Sequence, residues 1–456
     1  MPSPLLTRDR SFYRTLLRLA LPLALQNLIT FAVTFADHLM VGTLGDAALS
    51  GVYMGGQVQT LLQLFSGGIE GAMLILSAQY WGKKDTLSIR RLTSIALHFS
   101  LVVSLTLGAV CVLFPEPVLR LFTSDADVIR EGTVYLRIVS LSYGFFCVTQ
   151  VLTAAMRSVE NARIGMINAA LSLLFNLILN RVLIFGRLGF PALGVKGAAL
   201  ATLISRILEC LIMVFYVFRK DQRLMVRPRD LLISDRVLRR DFLRYGLPIV
   251  AGQVIWSINM MGNAMIMGRF DQYVIAALSI ANTLNTLAFV AINGMSAAVG
   301  IITGKTIGAG KTALMKEYAV TVQILFFAVG LCTGALIYFL KEPFVSLYGA
   351  IAPESAKATL ELCTVLSVTS VGSCYQAACL AGLVKSGGDI SFVFRNDTVF
   401  VLLVVLPSAI LAAHLQAPHW VVFACLKCDQ ILKCFVALVK INRFNWMKNL
   451  TRENGT

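Results

Sequence analysis

Apolar runs of roughly 20 residues recur from one end of the chain to the other, separated by short polar stretches. A helix needs about that length to cross a bilayer. In lipid each segment must satisfy its own backbone polar groups, so the runs are helices. Their unbroken apolarity excludes barrel strands, which alternate. Twelve spans are predicted. The first six lie near 16–41, 50–80, 93–114, 132–156, 164–186 and 194–218. The second six lie near 246–269, 274–304, 318–340, 359–384, 393–415 and 419–440. The expected fold is an all-α polytopic membrane protein with twelve transmembrane helices.

The two sets repeat one another. Shifted by 226 positions, "LPLALQNLITFAVTFADHLMVG" meets "LPIVAGQVIWSINMMGNAMIMG" without a gap. Pro22 meets Pro248, Gly42 meets Gly268, Thr60 meets Thr286 and Gly82 meets Gly308. Six is an even number, so both sets enter the membrane in the same direction. Parallel repeats of this kind place a substrate path between the halves and suit alternating access. The expected domains are an N-terminal six-helix lobe (1–218), a basic linker (219–245), a C-terminal six-helix lobe (246–440) and a tail (441–456). The linker is expected to carry a short amphipathic helix on the inner membrane surface.

Composition fits a membrane protein: 57% of the 456 residues are hydrophobic, 14% are charged and the mean hydropathy is +0.76. The net charge of +16 raises the question of nucleic acid. Position excludes it, because the basic residues sit between spans and not in an aromatic-interleaved patch. With the N-terminus inside, the loops on that side hold about 28 Lys and Arg, against about 7 on the other. Both termini are therefore expected in the cytoplasm. Trp81, Trp420 and Trp446 sit at span ends, where interfacial anchors belong. Arg8, Arg10, Arg14 and Arg18 resemble a signal-peptide start, but the following run is long and lacks a small-residue cleavage site. It reads as a retained first helix. The ten cysteines are scattered through the spans. Cys425 and Cys428 have no second pair or His cluster, so small packing residues are expected there, not zinc ligands.

No HExxH, Walker A or strand–turn–helix GxSxG occurs, and no cofactor is implied. "GAGKTA" at 308–313 has the wrong spacing for a phosphate loop and no preceding strand; a turn is expected. An enzyme has no need of the duplication either. Without an ATP motif, the energy source should be an ion gradient.

Polar residues inside the spans carry the candidate chemistry. An ionisable residue in mid-span marks a functional site by default. Asp37 is such a residue, and the repeat puts Asn263 at the equivalent place. A carboxylate that served packing alone could be an amide in both halves. His38 points about 100° round the helix from Asp37 and is expected to line, not relay. Asn176 and Asn180 are four apart, on one helix face, and Thr202 lies in the next span. Carboxylate, amide and hydroxyl oxygens suit a hard cation or a protonated carboxyl. Interhelical hydrogen bonding explains the two asparagines equally well. Arg206 with Glu209, and Asp429 with Lys433, have the spacing of structural ion pairs. Asp429 is still the best acidic candidate in the second half, and Glu70 is a further membrane acid with no assigned partner. Asn259, Met260, Asn263 and Gln376 are candidates for a substrate cavity, since methionines re-pack around varied ligands. Lipid-facing or core methionine is the alternative. Pro22 and Pro248 each remove a helix hydrogen bond and can act as hinges.

These residues resemble the MATE family, the multidrug and toxic compound extrusion transporters, in its bacterial type. The resemblance covers the whole chain. It rests on "FADHLMVG", "SAQYWGKKD", "NLILNRVLIFGRLGFPALGVKGAALATLISRILE" and "LAGLVKSGGDISFV". It implies two six-helix lobes forming a V around a central cavity, and H⁺- or Na⁺-coupled export of organic cations. The coupling aspartate of the first helix then falls on Asp37, its partners on Asn176, Asn180 and Thr202, and the hinge proline on Pro22. The seventh-helix glutamate of some relatives is replaced by Trp256, and the tenth-helix acid is missing from "SVGSCYQAACLAG". Coupling is thus expected in the first lobe only.

The function expected is a cation-coupled antiporter of the bacterial cytoplasmic membrane, exporting small, cationic amphiphilic substrates. One acid holds little charge against hydrated Na⁺, which favours H⁺. A monomer suffices, with membrane lipid as its other partner. One rival is a flippase for lipid-linked precursors, which needs a cation-rich cleft for pyrophosphate. Another is a membrane sensor or scaffold, which would tolerate loss of Asp37.

Overall fold

The computed structural model describes residues 6–187, 189–227, 229–230, 235–346 and 352–452. All regular structure among them is helical. Eleven helices are long and apolar enough to span a membrane. They are α1 (Arg10–Gly42), α2 (Asp46–Gly82), α3 (Thr86–Leu113), α4 (Ala126–Ser158), α5 (Ala162–Leu183) and α6 (Gly194–Lys220). The second half supplies α7 (Arg236–Met267), α8 (Gln272–Gly308), α9 (Thr312–Ser346), α10 (Pro353–Lys385) and α11 (Ile390–His414). The twelfth predicted span, α12, is present as two shorter helices, His419–Lys427 and Asp429–Asn442, meeting at Cys428. The chain is a multi-pass membrane protein.

The register of the repeat reappears in the helices. Pro22 lies inside α1 and Pro248 inside α7, and neither helix is interrupted there. α2 ends at Gly82 and α8 at Gly308, the matched glycines. The "GAGKTA" stretch is the turn between α8 and α9. Gly310 takes φ +73° in it, a left-handed conformation that costs glycine little.

Contacts gather the chain into two compact units. One is Leu25–Val250; the other is Met1–Ala24 together with Ala251–Thr456. The division cuts α1 just past Pro22 and α7 just past Pro248. The start of α1 therefore packs with the second-half helices. Thr7 N donates to Thr321 Oγ1 at 2.8 Å, and Tyr318 OH donates to Asp9 at 2.5 Å. Gly294 lies so close to Ala20 and Ala24 that a Cβ would meet their backbone. In the other unit, the start of α7 packs on first-half helices. Phe242 stacks on Phe99 with ring centroids 5.9 Å apart, and Ile249 and Val250 press on Gly71 and Gly68.

The 219–245 stretch departs from expectation. α7 starts at Arg236, so the last part of the stretch is helical and continuous with the span. Before it, the described residues hold no amphipathic helix; residues 228 and 231–234 lie outside the description. The segment is held down by the first-half loops. Arg90 Nε donates to Leu224 O at 2.6 Å, and Arg91 pairs with Asp235 at 2.9 Å.

Trp446 is also a correction. It is fully buried, not at an interface. Its Nε1 donates to Ile441 O at 3.0 Å and its ring fills the space that Gly387 leaves open. The described part of the tail thus folds back on the α10–α11 loop. Lys448 N donates to Gly387 O at 2.7 Å, and Asp389 holds Lys440 at 2.7 Å and Lys448 at 2.8 Å.

Candidate functional site

A cavity of about 630 Å³ lies within the Leu25–Val250 unit. Five spans line it: α1, α2, α4, α5 and α6. On α1 the lining includes Gln26, Thr30, Thr34 and Asp37, steps of four, four and three. On α2 it includes Tyr53, Gln57, Thr60, Gln63, Gly67 and Glu70, again steps of three and four. Residues so spaced share one helix face. Each span turns a polar stripe inward while its other faces stay apolar.

Asp37 sits on this wall with the two expected asparagines. Asn180 Nδ2 donates to Asp37 Oδ1 at 2.5 Å and to Asn176 Oδ1 at 3.0 Å. Both asparagines are buried, as their four-residue spacing on α5 requires if one points at Asp37 and the other supports it. The first of these bonds is the stronger one when Asp37 is ionised. Thr202 lines the same cavity but its hydroxyl donates to Ala198 O at 3.0 Å, within its own helix. It is a neighbour of Asp37, not a bonded partner. His38 lines the wall and faces Tyr53 edge-on, with centroids 6.4 Å apart. Pro22 is buried in α1, fifteen residues before Asp37 in the sequence.

The other charges of the cavity are paired. Arg206 Nη1 lies 3.3 Å from Glu209 Oε2, the spacing pair read from the sequence. Its guanidinium also covers the Phe146 ring at 4.6 Å. Glu70 has a partner that the sequence did not reveal: Arg157 Nη1 at 2.5 Å. Arg157 Nη2 donates to Gln26 Oε1 at 3.0 Å, so α1, α2 and α4 are tied at one point. Asp37 alone among the cavity's carboxylates has no ion-pair partner among the described residues. The separation of 87 residues between Glu70 and Arg157 leaves no local signal of their contact. Tyr135, which adjoins Thr202 and Asp37, was missed for the same reason. The α2 stripe had a signal in its three- and four-residue spacing of Gln57, Thr60 and Gln63.

In the second half the candidates are dispersed. Gln376 Nε2 donates to the carbonyls of Asp429 at 3.0 Å and Gln430 at 2.5 Å. That is a correction: Gln376 props α10 against the break in α12, and its donors are spent there. Gly372 admits the Gln430 carbonyl at the same contact. Asp429 is paired with Lys433 at 3.0 Å, as its spacing predicts, and Lys433 also holds Asp397 at 2.9 Å. Asn259 and Asn263 are half-buried with carbonyl oxygens that find no partner among the described residues. Met260, Met261 and Met265 are exposed, and Met267 is in the core. No group of three metal-ligating side chains occurs among the described residues, and Cys425 and Cys428 are free thiols.

The MatE family model matches residues 22–182 and again 248–411. The two matches start at Pro22 and Pro248, in the register of the repeat. The multidrug resistance protein PmpM of Pseudomonas aeruginosa is 26% identical over 345 residues, 75% of this chain and 72% of its own length. The "Probable multidrug resistance protein NorM" of Thermotoga maritima is 24% identical over 342 residues, 74% of this chain and 72% of its own. A crystal structure of MATE in complex with MaL6 has a TM-score of 0.85 at 20% identity, over 95% of this chain and 97% of that one. An outward-facing multidrug resistance MATE family transporter of the MOP superfamily gives 0.80 at 19%, over 96% and 99%. At such identities the structures speak to the fold alone. The family model, matched across most of the chain, decides the rest: the chain belongs to the MatE family, and is a membrane transporter, not an enzyme.

Proposed function

We propose that the protein is a cation-coupled antiporter that exports small organic cations by alternating access, with Asp37 as its coupling site. One observation carries this reading. Asp37 is the cavity carboxylate without a basic partner, held by an amide that donates to it. Glu70 and Glu209 are neutralised by Arg157 and Arg206. The cavity therefore offers one uncompensated negative charge. A coupling ion and a cationic substrate would compete for it, which is the logic of exchange. Tenfold coupling between them needs about 1.4 kcal/mol of differential affinity. Asp429 is taken by Lys433, which supports coupling in the first half alone. The names of the curated relatives support drugs as cargo. The charge asymmetry of the loops supports cytoplasmic termini, and nothing in the reading needs more than a monomer in the lipid.

A flippase for lipid-linked precursors is less well supported. Both guanidiniums in the cavity already hold carboxylates, leaving no free cation there for a pyrophosphate.

The test is efflux of a fluorescent organic cation from proteoliposomes, under a pH gradient and a Na⁺ gradient separately, with wild type and Asp37→Asn. Efflux driven by one gradient and lost in Asp37→Asn names the ion and the site. Efflux that survives in Asp37→Asn overturns the assignment.

A further inference from the structure

The lining of the cavity says what kind of solute fits it. Pockets for drug-like ligands are lined mainly by hydrophobic and aromatic side chains, with few polar groups. This one is richer in polar groups, with Tyr53, Tyr135 and Phe146 as its aromatic side chains. Among the described residues it contains no Leu, Ile, Met or Trp. Its aliphatic contribution is Val33, Val52 and Ala169. Five glutamines line it: Gln26, Gln57, Gln59, Gln63 and Gln150.

Only Gln26 is committed, to Arg157. Gln57, Gln59 and Gln150 are half-buried, Gln63 is exposed, and none of the four has a hydrogen-bond partner among the described residues. Each such amide offers two donors and an acceptor oxygen. A solute that replaces water in this cavity without meeting them leaves buried amides unsatisfied, which is the strongest form of rejection a site has. Hydroxyl groups both donate and accept, so they answer an amide in either sense. A lipophilic cation has nothing to offer. Arg206 already lies over the Phe146 ring, which leaves Tyr53 as the exposed aromatic of the lining.

The charge is equally restrictive. Three carboxylates and two guanidiniums line the wall, and the excess of one sits on Asp37. The cavity reaches from Gln26 to Asp37 along α1, about 16 Å at the rise of a helix. That length holds one ammonium at Asp37 with several hydrogen-bonding groups strung away from it.

We infer that the first-half cavity takes a hydrophilic monocation, a small amine bearing several hydroxyl or amide groups in the manner of an amino sugar, in preference to a lipophilic cation. This rests on the export reading above and narrows its cargo.

Counterflow in proteoliposomes tests it, since exchange needs no ion gradient. Labelled glucosamine and labelled tetraphenylphosphonium would be compared in wild type, Gln57→Leu with Gln150→Leu, and Gln150→Leu alone, each checked for a monodisperse, cooperatively melting protein. The expected result is glucosamine exchange in wild type. It should fall tenfold or more in the double variant and by less in the single one, with tetraphenylphosphonium exchange rising as glucosamine falls. Wild type that exchanges tetraphenylphosphonium but not glucosamine overturns the inference, as does exchange of neither. So does glucosamine exchange that ignores both variants. Gradient-driven efflux of a cation that is lost in Asp37→Asn would leave coupled export standing even then.

Discussion

Asn180 reaches Asp37 at 2.5 Å and is itself braced by Asn176 at 3.0 Å. The order of contact sets an order of effect. Asn180→Ala removes a hydrogen bond to a charged group, worth about 1.5–3 kcal/mol. Gradient-driven efflux should fall tenfold or more. Asn176→Ala acts through Asn180 and should cost less. Thr202→Val should cost least, since that hydroxyl is spent on Ala198 O. Initial efflux rates for the three, at matched protein per vesicle, check the ranking.

Glu70 and Arg157 hold α1, α2 and α4 together through Gln26. The pair is half-buried, so removing one partner should cost less than the roughly 3–5 kcal/mol of a fully buried pair. Glu70→Gln should still lower the melting temperature in detergent, because one charge is left without its partner. Adding Arg157→Met should recover much of the loss. A double variant no more stable than the single one would show that the pair's worth is not in its charges.

Lys433 serves two acids, Asp397 and Asp429, from one buried position. Lys433→Met strands both and should destabilise by about 3–5 kcal/mol. Lys433→Arg should be tolerated far better. Asp429→Asn should leave the ion dependence of efflux unchanged, because that carboxylate is already held by Lys433. A changed ion dependence would move a coupling site into the second half.

Asp389, on the α10–α11 loop, couples stability to pH. Burial pushes its carboxyl up, but hydrogen bonds from Lys440 and Lys448 outweigh this and hold it below its ordinary value of 3.8. The carboxylate contributes its full stability above that value, and loses it as the pH falls through the depressed one. Asp389→Asn should lower the melting temperature at pH 7. The gap to wild type should narrow as the pH drops below about 4, where the unfolded chain begins to take up the proton that the folded one still refuses. A gap that stays constant to pH 3 would argue against the lysine contacts.

Much of the frame was legible in the sequence, because bilayer length and helical period are strong constraints. The spans, the repeat and the two spacing pairs, Arg206 with Glu209 and Asp429 with Lys433, needed only local information. Asp37 stood out because charge in hydrocarbon is rare, and the Asn176–Asn180 spacing put two amides on one face. The Glu70–Arg157 pair did not show, since it joins spans with no spacing rule between them. Trp446 misled, because aromatic position at a span end cannot distinguish an interface from a folded-back tail. Gln376 misled differently: a polar residue in a span reads as lining, yet its work is to satisfy carbonyls at the break in α12. The α2 stripe was overlooked because hydropathy averages the apolar faces with the polar one.

The cut of the two compact units just past Pro22 and Pro248 bears on whether either half can stand alone. Neither six-helix repeat keeps the start of its own first helix; each lends it to the other. A six-helix half produced alone would carry the start of its first helix without the helices that it packs on, so separate expression of either half should expose that helix end.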